Sequence, residues 1–340
     1  FDDQYQPGMG MGWWGTHFGR NQTWIKPGKA YFTYLSRCQM LLQQGEYVSS
    51  GAGIVHRSTP DAEIFFVTNP ASEALNRSFN FPVKDRIPEL WDAYRGEIRK
   101  THQWSANNDS TAVTLNLEAD ESIFVVFPKN KSDYRRLPSV ETLTEQHSNI
   151  EGEWNIRFEP KLAPAFNKVF PVLADFSTNA DTTVKYFAGT ATYLKTIHID
   201  AGELAKDRRI LLDLGELHDI AALQVNGKDA GVLWYPPYKT DVTPYLKEGD
   251  NTLSIAVSVN WANRLIGDEQ YPADFEWGQD RGELGRAMKA FPDWFVKGEP
   301  RPSQGRKTFN IWYYYRQASP LQPAGLIGQV QLIKQEVKTH

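Results

Sequence analysis

The sequence predicts a mostly β fold: two antiparallel β-sandwiches in series, preceded by one amphipathic helix. Three observations predict it. From residue 52 onward, short runs rich in β-branched and aromatic residues alternate with Gly, Pro, Asn and Asp. Asn226-Gly227 stands between "ALQV" and "KDAGVLW", a hairpin signal because both central residues of a type I′ turn need positive φ. One stretch alone, "KPGKAYFTYLSRCQMLLQQG", follows helical spacing.

That helix has Pro27 where a first turn tolerates it and Gly45 where a helix stops. Tyr31, Tyr34, Leu35, Cys38, Leu41 and Leu42 follow the i, i+3, i+4, i+7 rule. The spacing predicts that Leu35, Cys38, Leu41 and Leu42 are buried. Cys38 is the single cysteine, so an internal disulfide is excluded. On an apolar stripe it reads as a small buried hydrophobe.

The first sandwich is expected over roughly residues 52–135, from "AEIFFVTN", "SFNFPV", "TAVTLNLEA" and "SIFVVFP". The polar, weakly periodic stretch 129–149 reads as a linker. A second unit starts near residue 150 with "EWNIRFEP", "GTATYLKTIHI", "RRILLDLG", "AALQV", "AGVLWY" and "NTLSIAVSVNW". Its closely spaced turn signals suit a jelly-roll-like sandwich. Residues 267–308 are irregular, and "FNIWYYYRQ" and "IGQVQLIKQ" read as closing strands. An irregular segment that long is usually functional or mobile.

Composition excludes some functions. The 340 residues carry 37 Lys+Arg against 41 Asp+Glu, a formal charge of −4. With no basic block, nucleic acid is not an expected partner. No apolar run approaches the ~20 residues of a membrane helix. "FDDQYQPGMG" lacks the charged and apolar regions of a signal peptide, and the compartment is not legible from it. Aromatic residues are 13%, with 11 Trp. Both β-rich cores and carbohydrate contact raise that share.

No G-x-S-x-G, H-E-x-x-H, paired cysteine or P-loop is present. Glycoside hydrolysis needs two carboxyl groups flanking one bond. Asp2, Asp3, Glu97, Glu151, Glu153, Asp268, Glu269, Asp274 and Glu276 are available, but none has a flanking pattern that marks an acid or base. No catalytic residue and no metal ligand is therefore assigned. Two clusters stand out. "MGWWGTHFGRNQTW" joins Trp13, Trp14, His17, Arg20, Asn21 and Trp24. Such a mixture suits sugar, since rings stack on pyranose faces while Arg and Asn bond hydroxyls; equally, it suits a strand end whose aromatics pack. "VNWANRLIGDEQ" places Asn260, Trp261, Asn263, Arg264 and Asp268 at the exit of an apolar strand. It reads either as a site or as a buried Arg–Asp pair pinning the loop that follows. Arg264 is expected to be at least partly buried and held by Asp268.

"LDLGELHDIAALQVNGKDAGVLWYPPYKTDVTPYLKEGDNTLSIAV" resembles the galactose-binding-like, jelly-roll sugar-binding domain of glycoside hydrolase family 2. "VNWANRLIGDEQ" and "GEPRPSQGRKTFNIWYYYRQASPLQPAGLIGQVQL" resemble the C-terminal region of glycoside hydrolase family 106, the α-L-rhamnosidases. "HFGRNQTWIKPGKAYFTYLSRCQMLLQQG" resembles the last part of that family's (β/α)8 barrel, and "IPELWDAYRGEI" a segment of its intervening β-sandwich. The resemblance implies a barrel-derived strand/helix remnant over 1–50, a β-sandwich and linker over 51–149, and a galactose-binding-like jelly roll over 150–340. Barrel sites sit at the C-terminal ends of strands, so His17 and Arg20 would line the intact enzyme's site, and Trp13 and Asn21 beside them are candidates for carbohydrate binding. Trp261, Asn263, Arg264 and Asp268 complete the candidate carbohydrate-binding set.

The family's catalytic carboxylates lie upstream in its barrel, and an α/β segment that usually follows "LLQQG" is shortened here. The chain is therefore expected to be a fragment or a reduced relative, catalytically incomplete, with no cofactor of its own. Calcium assistance belongs to the intact family enzyme. The expected partners are carbohydrate and either the missing barrel or a second copy of the chain; the resemblance implies a periplasmic or extracellular place. The expected role is the accessory, substrate-facing part of a glycoside hydrolase acting on rhamnose-containing or related plant glycans. Its rivals are a free-standing carbohydrate-binding module, with Trp261, Trp234 or Tyr235 stacking on sugar, and a buttress that touches no sugar. An exposed ring beside Arg264 would favour binding, and a buried one buttressing.

Overall fold

The computed structural model describes residues 2–8, 18–51, 53–130 and 134–340. Helix α1 (Lys29–Leu42) comes first. Gly45, with φ of +53°, then turns the chain into a strand. Among the described residues the first sandwich has nine strands: β1 (Glu46–Gly51), β2 (Ile54–Ser58), β3 (Ala62–Thr68), β4 (Leu75–Phe81), β5 (Glu89–Asp92), β6 (Glu97–Lys100), β7 (Trp104–Ala106), β8 (Thr111–Leu117) and β9 (Ser122–Pro128). One sheet runs β1-β2-β3-β9-β5-β6 and the other β4-β8-β7.

Strands β3 and β9 explain why their sequences are apolar without alternation. Side chains alternate between faces along a strand, and here both faces are covered. Phe65, Val67, Ile123, Val125 and Phe127 face the three-stranded sheet and meet Phe81, Val113, Leu115 and Leu117. Ile64, Phe124 and Val126 face the other way, onto Cys38 and Leu41 of α1. Tyr34 also joins this layer, and its hydroxyl bonds the Ser122 hydroxyl at 2.8 Å. Cys38 and Leu41 are buried as expected and Leu42 is half-buried, but Leu35 is 41% exposed. The buried stripe centres on Tyr34, Cys38 and Leu41, and Leu35 lies about 100° around the helix from Tyr34. The expected stripe was too wide on that side.

The second sandwich begins inside the stretch read as a linker. Residues 140–149 form β10 (Val140–Asn149), an outer strand of this unit. It is followed by β11 (Trp154–Pro160), β12 (Phe166–Phe170), β13 (Gly189–Ile199), β14 (Arg208–Asp213), β15 (Ile220–Val225), β16 (Lys228–Leu233), β17 (Lys239–Asp241), β18 (Gly249–Val259) and β19 (Gln331–Thr339). The sheets run β12-β11-β13-β18-β15-β16 and β10-β19-β14-β17. Strand β10 is exposed along nearly its whole length, so it carries no apolar pattern; backbone pairing with β19 holds it. The core between the sheets contains Trp154, Phe158, Phe176, Tyr193, Ile199, Leu212, Leu223, Ile255 and Leu326.

The Asn226-Gly227 hairpin forms as expected, with φ of +52° and +73°. Asn226 does more than turn. Its side chain donates to Tyr245 O (3.0 Å) and Asn251 Oδ1 (2.7 Å) and accepts from Thr252 N (3.0 Å). Fully buried Asn251 donates to Lys247 O (2.7 Å) and Gly249 O (2.8 Å). Buried amides need such partners to offset their lost hydration.

Candidate functional site

Two regions gather the polar and aromatic residues of interest. The first follows β18. Helix α2 (Ala262–Asp268) starts directly at the strand's exit, so Arg264 and Asp268 stand one turn apart on one face. Arg264 Nη2 and Nε reach Asp268 Oδ1 at 2.8 and 3.1 Å. The Asp268 side chain is 2% exposed and that of Arg264 18%. Asp268 Oδ2 accepts from Lys307 N (3.0 Å), Thr308 N (2.6 Å) and Thr308 Oγ1 (2.6 Å). One carboxylate thus ties the strand's exit to the distant end of the irregular loop.

Neighbouring groups repeat the pattern. Arg306 grips Glu269 with two bonds of 2.8 and 3.0 Å and donates to the carbonyls of Tyr271 and Pro272. Arg301 grips Asp274 and donates to Thr308 O (2.7 Å). Asn263 and Gln322 exchange a pair of bonds at 2.7 and 2.8 Å. Trp261 is 5% exposed, and its Nε1 donates to Asn21 O at 2.8 Å. Pro7–Gly8 pairs in parallel with Phe309–Asn310, so the N-terminal segment, loop and second sandwich are one packed block.

The candidate residues are thus partly brought together. Asn21 meets Trp261 through its backbone, and Asn263, Arg264 and Asp268 surround the same strand exit. Arg20 lies 3.6 Å from Asp3, with both side chains more than 70% exposed. Trp13 and His17 lie outside the described residues. The Trp261 ring lies buried beside Arg264, the arrangement expected of a buttress.

The second region is a cleft of about 1090 Å³ between α1, the first sandwich and the hairpin β15-β16 of the second. An aromatic joint closes one side. The Trp234 ring centroid lies 5.1 Å from Tyr31, 5.5 Å from Tyr34, 5.8 Å from Tyr94 and 4.8 Å from Tyr235. Tyr94 Oη donates to Val232 O (3.0 Å), and Lys239 pairs with Glu118 across the two sandwiches at 2.7 Å. Arg95, Asp92 and Glu121 line the cleft. Arg95 Nη1 reaches Asp92 Oδ2 at 2.8 Å. Burial pushes the Glu121 carboxyl above its usual range, although the Glu118 N–H and the Arg95 cation pull the other way. A carboxyl beside an arginine, an aromatic wall and room for a sugar ring make a surface that can bind hydroxyl-rich ligands. Trp234 and Tyr235 are legible in the sequence as candidate stacking rings; Tyr94, Arg95 and Glu121 are not. The dense run Trp91-Asp92-Ala93-Tyr94-Arg95 was the available signal.

The chain is similar to known glycoside hydrolases. A family model described as alpha-L-rhamnosidase matches residues 2–52, and one described as glycosyl hydrolase 2 galactose-binding domain-like matches residues 172–298. A rhamnosidase structure from Novosphingobium sp. PP1Y is 30% identical, with a TM-score of 0.66, over 86% of this chain and 25% of that one. A Formosa agariphila protein with a provisional β-glucuronidase name is 38% identical over 184 residues, which is 54% of this chain and 15% of that protein. The chain spans a quarter or less of these relatives' length. Both resemblances read in the sequence, to the rhamnosidase family and to the galactose-binding-like domain, are matched.

Proposed function

We propose that this chain is the accessory, substrate-facing part of a glycoside hydrolase acting on rhamnose-containing or related plant glycans, and that it also buttresses the catalytic part. The observation that carries this reading is the match of 86% of the chain to one quarter of a rhamnosidase. The loop anchor supports the buttressing role. Asp268, Glu269 and Asp274 are each held by an arginine, and Trp261 fixes a residue of the segment matching the rhamnosidase model. The cleft beside Trp234 supports the substrate-facing role, with a neutral or acidic glycan as its ligand class. Catalytic carboxylates, and any calcium, belong in this reading to the rest of the enzyme.

The test has two arms. Purified residues 1–340 should leave an aryl α-L-rhamnoside unhydrolysed, because a retaining or inverting mechanism needs two free carboxyl groups facing one bond. Turnover abolished by replacing a single Asp or Glu of this chain would overturn the accessory assignment. In the second arm, rhamnose-containing oligosaccharides are titrated while tryptophan fluorescence is followed. A saturable change lost in Arg95→Ala supports the cleft; no change with any glycan leaves the buttress as the chain's role.

A further inference from the structure

We propose that His102, Glu141 and His340 bind a divalent transition-metal ion of the zinc type and thereby clip the first sandwich to the outer edge of the second. The three come from distant parts of the chain. His102 follows β6, Glu141 is the second residue of β10, and His340 follows β19. One ligand atom from each lies within 4.8 Å of the others. Two imidazole nitrogens and a carboxylate oxygen form a set that suits zinc, cobalt or nickel better than magnesium or calcium, which prefer all-oxygen surroundings.

The scaffold orients each group. Antiparallel pairing of β10 with β19 sets Glu141 opposite Lys338, and His340 N donates to Ser139 O at 2.9 Å, extending that pairing. Glu141 Oε2 is then 3.0 Å from His340 Nε2. The Ser139 hydroxyl bonds His102 Nδ1 at 2.5 Å, which fixes the ring and leaves Nε2 as the ligand atom. Partners of this kind commonly hold metal-binding histidines. The two rings stack with centroids 4.1 Å apart and an interplanar angle of 21°. A tetrahedral zinc with bonds of about 2.0–2.2 Å wants ligand atoms about 3.4 Å apart, so side-chain rotation closes the set. The His340 and Glu141 side chains are 28% and 42% exposed, which leaves an entry path and room for a water ligand. His102 also lines the cleft, so the ion would sit at its rim. The proposal does not rest on the glycoside-hydrolase reading.

Metal-free protein is titrated with Zn2+ by calorimetry and with Co2+ by visible absorption at neutral pH. One ion per chain is expected, with a raised melting temperature in Zn2+ but not in Mg2+. Affinity should fall about tenfold or more in His102→Ala and in Glu141→Gln, and weaken as pH drops through the imidazole range near ~6.5. His218→Ala, at an exposed histidine paired with Glu216, should bind as the parent does. Melting curves taken without metal establish that each variant folds. Binding equal to the parent in both His102→Ala and Glu141→Gln, or no stoichiometric binding by the parent, overturns the proposal.

Discussion

The loop anchored at Arg264–Asp268 and the cleft beside Trp234 are made of the same residue types: arginine, carboxylate and aromatic ring. They reach different ends. In the anchor, Asp268 accepts five bonds from three residues while only 2% exposed, and the neighbouring Trp261 indole is also bonded and buried. In the cleft, Arg95 and Asp92 pair beside open volume, and Glu121 is raised by burial. Polar density along a chain therefore does not mark a ligand site. What matters is whether the donors and acceptors already satisfy one another, because a fully bonded group has little left to offer a sugar.

The largest expected effect lies in the anchor. Arg264→Ala leaves the Asp268 charge buried without its cation and should cost about 3–5 kcal/mol, read as a lower melting temperature or denaturation midpoint. Glycan titration of the folded fraction should be unchanged. A variant with parental stability and weakened glycan binding would reverse the two regions' roles.

Trp234→Ala tests the joint at the cleft. A fully buried ring costs about 3–5 kcal/mol on truncation, and this half-buried one should cost about 2 kcal/mol. Chemical denaturation measures the loss. Here, unlike in the anchor, any glycan response should fall as well; loss of stability with undiminished glycan binding would make the joint purely structural.

Asp219 separates carboxylates held by cations from those held only by the backbone. It accepts from Gly325 N (3.2 Å), and burial pushes its pKa up to about 7. The native state then binds the proton more tightly than the unfolded chain does. The stabilisation from this proton is fully present below about pH 4 and is lost as pH rises through about 7. The slope is at most about 1.4 kcal/mol per pH unit. Asp219→Asn should flatten that part of the stability-versus-pH curve, and an unchanged curve would contradict the assignment.

The smallest effect is expected from Arg316→Ala. Arg316 grips Asp280 with two bonds of 3.0 Å, but both side chains are more than 40% exposed. Water screens so exposed a pair, which then contributes little to stability, so the melting curve should barely move. A loss as large as that of Arg264→Ala would mean that exposure does not separate the loop's two kinds of ion pair.

By itself the sequence determined what local physics controls. Alternating or doubly apolar runs made strands, as in β3 and β9, because side-chain direction has period two. Asn226-Gly227 made its hairpin because its backbone needs positive φ. The Arg264–Asp268 pair was legible because its members are close along the chain. Tertiary structure decided the rest. Strand β10 had no apolar signal, since it is held by pairing with β19, almost 200 residues away. Leu35 fell outside the buried stripe: the layer against the sheet takes Tyr34, Cys38, Leu41 and Leu42, while Leu35 is 41% exposed. The Trp234–Tyr94–Arg95 wall and the His102–Glu141–His340 cluster bring together residues with no sequence spacing to betray them. Long-range packing alone sets which side chains share a cleft, and that packing depends on the whole chain rather than on any window of it.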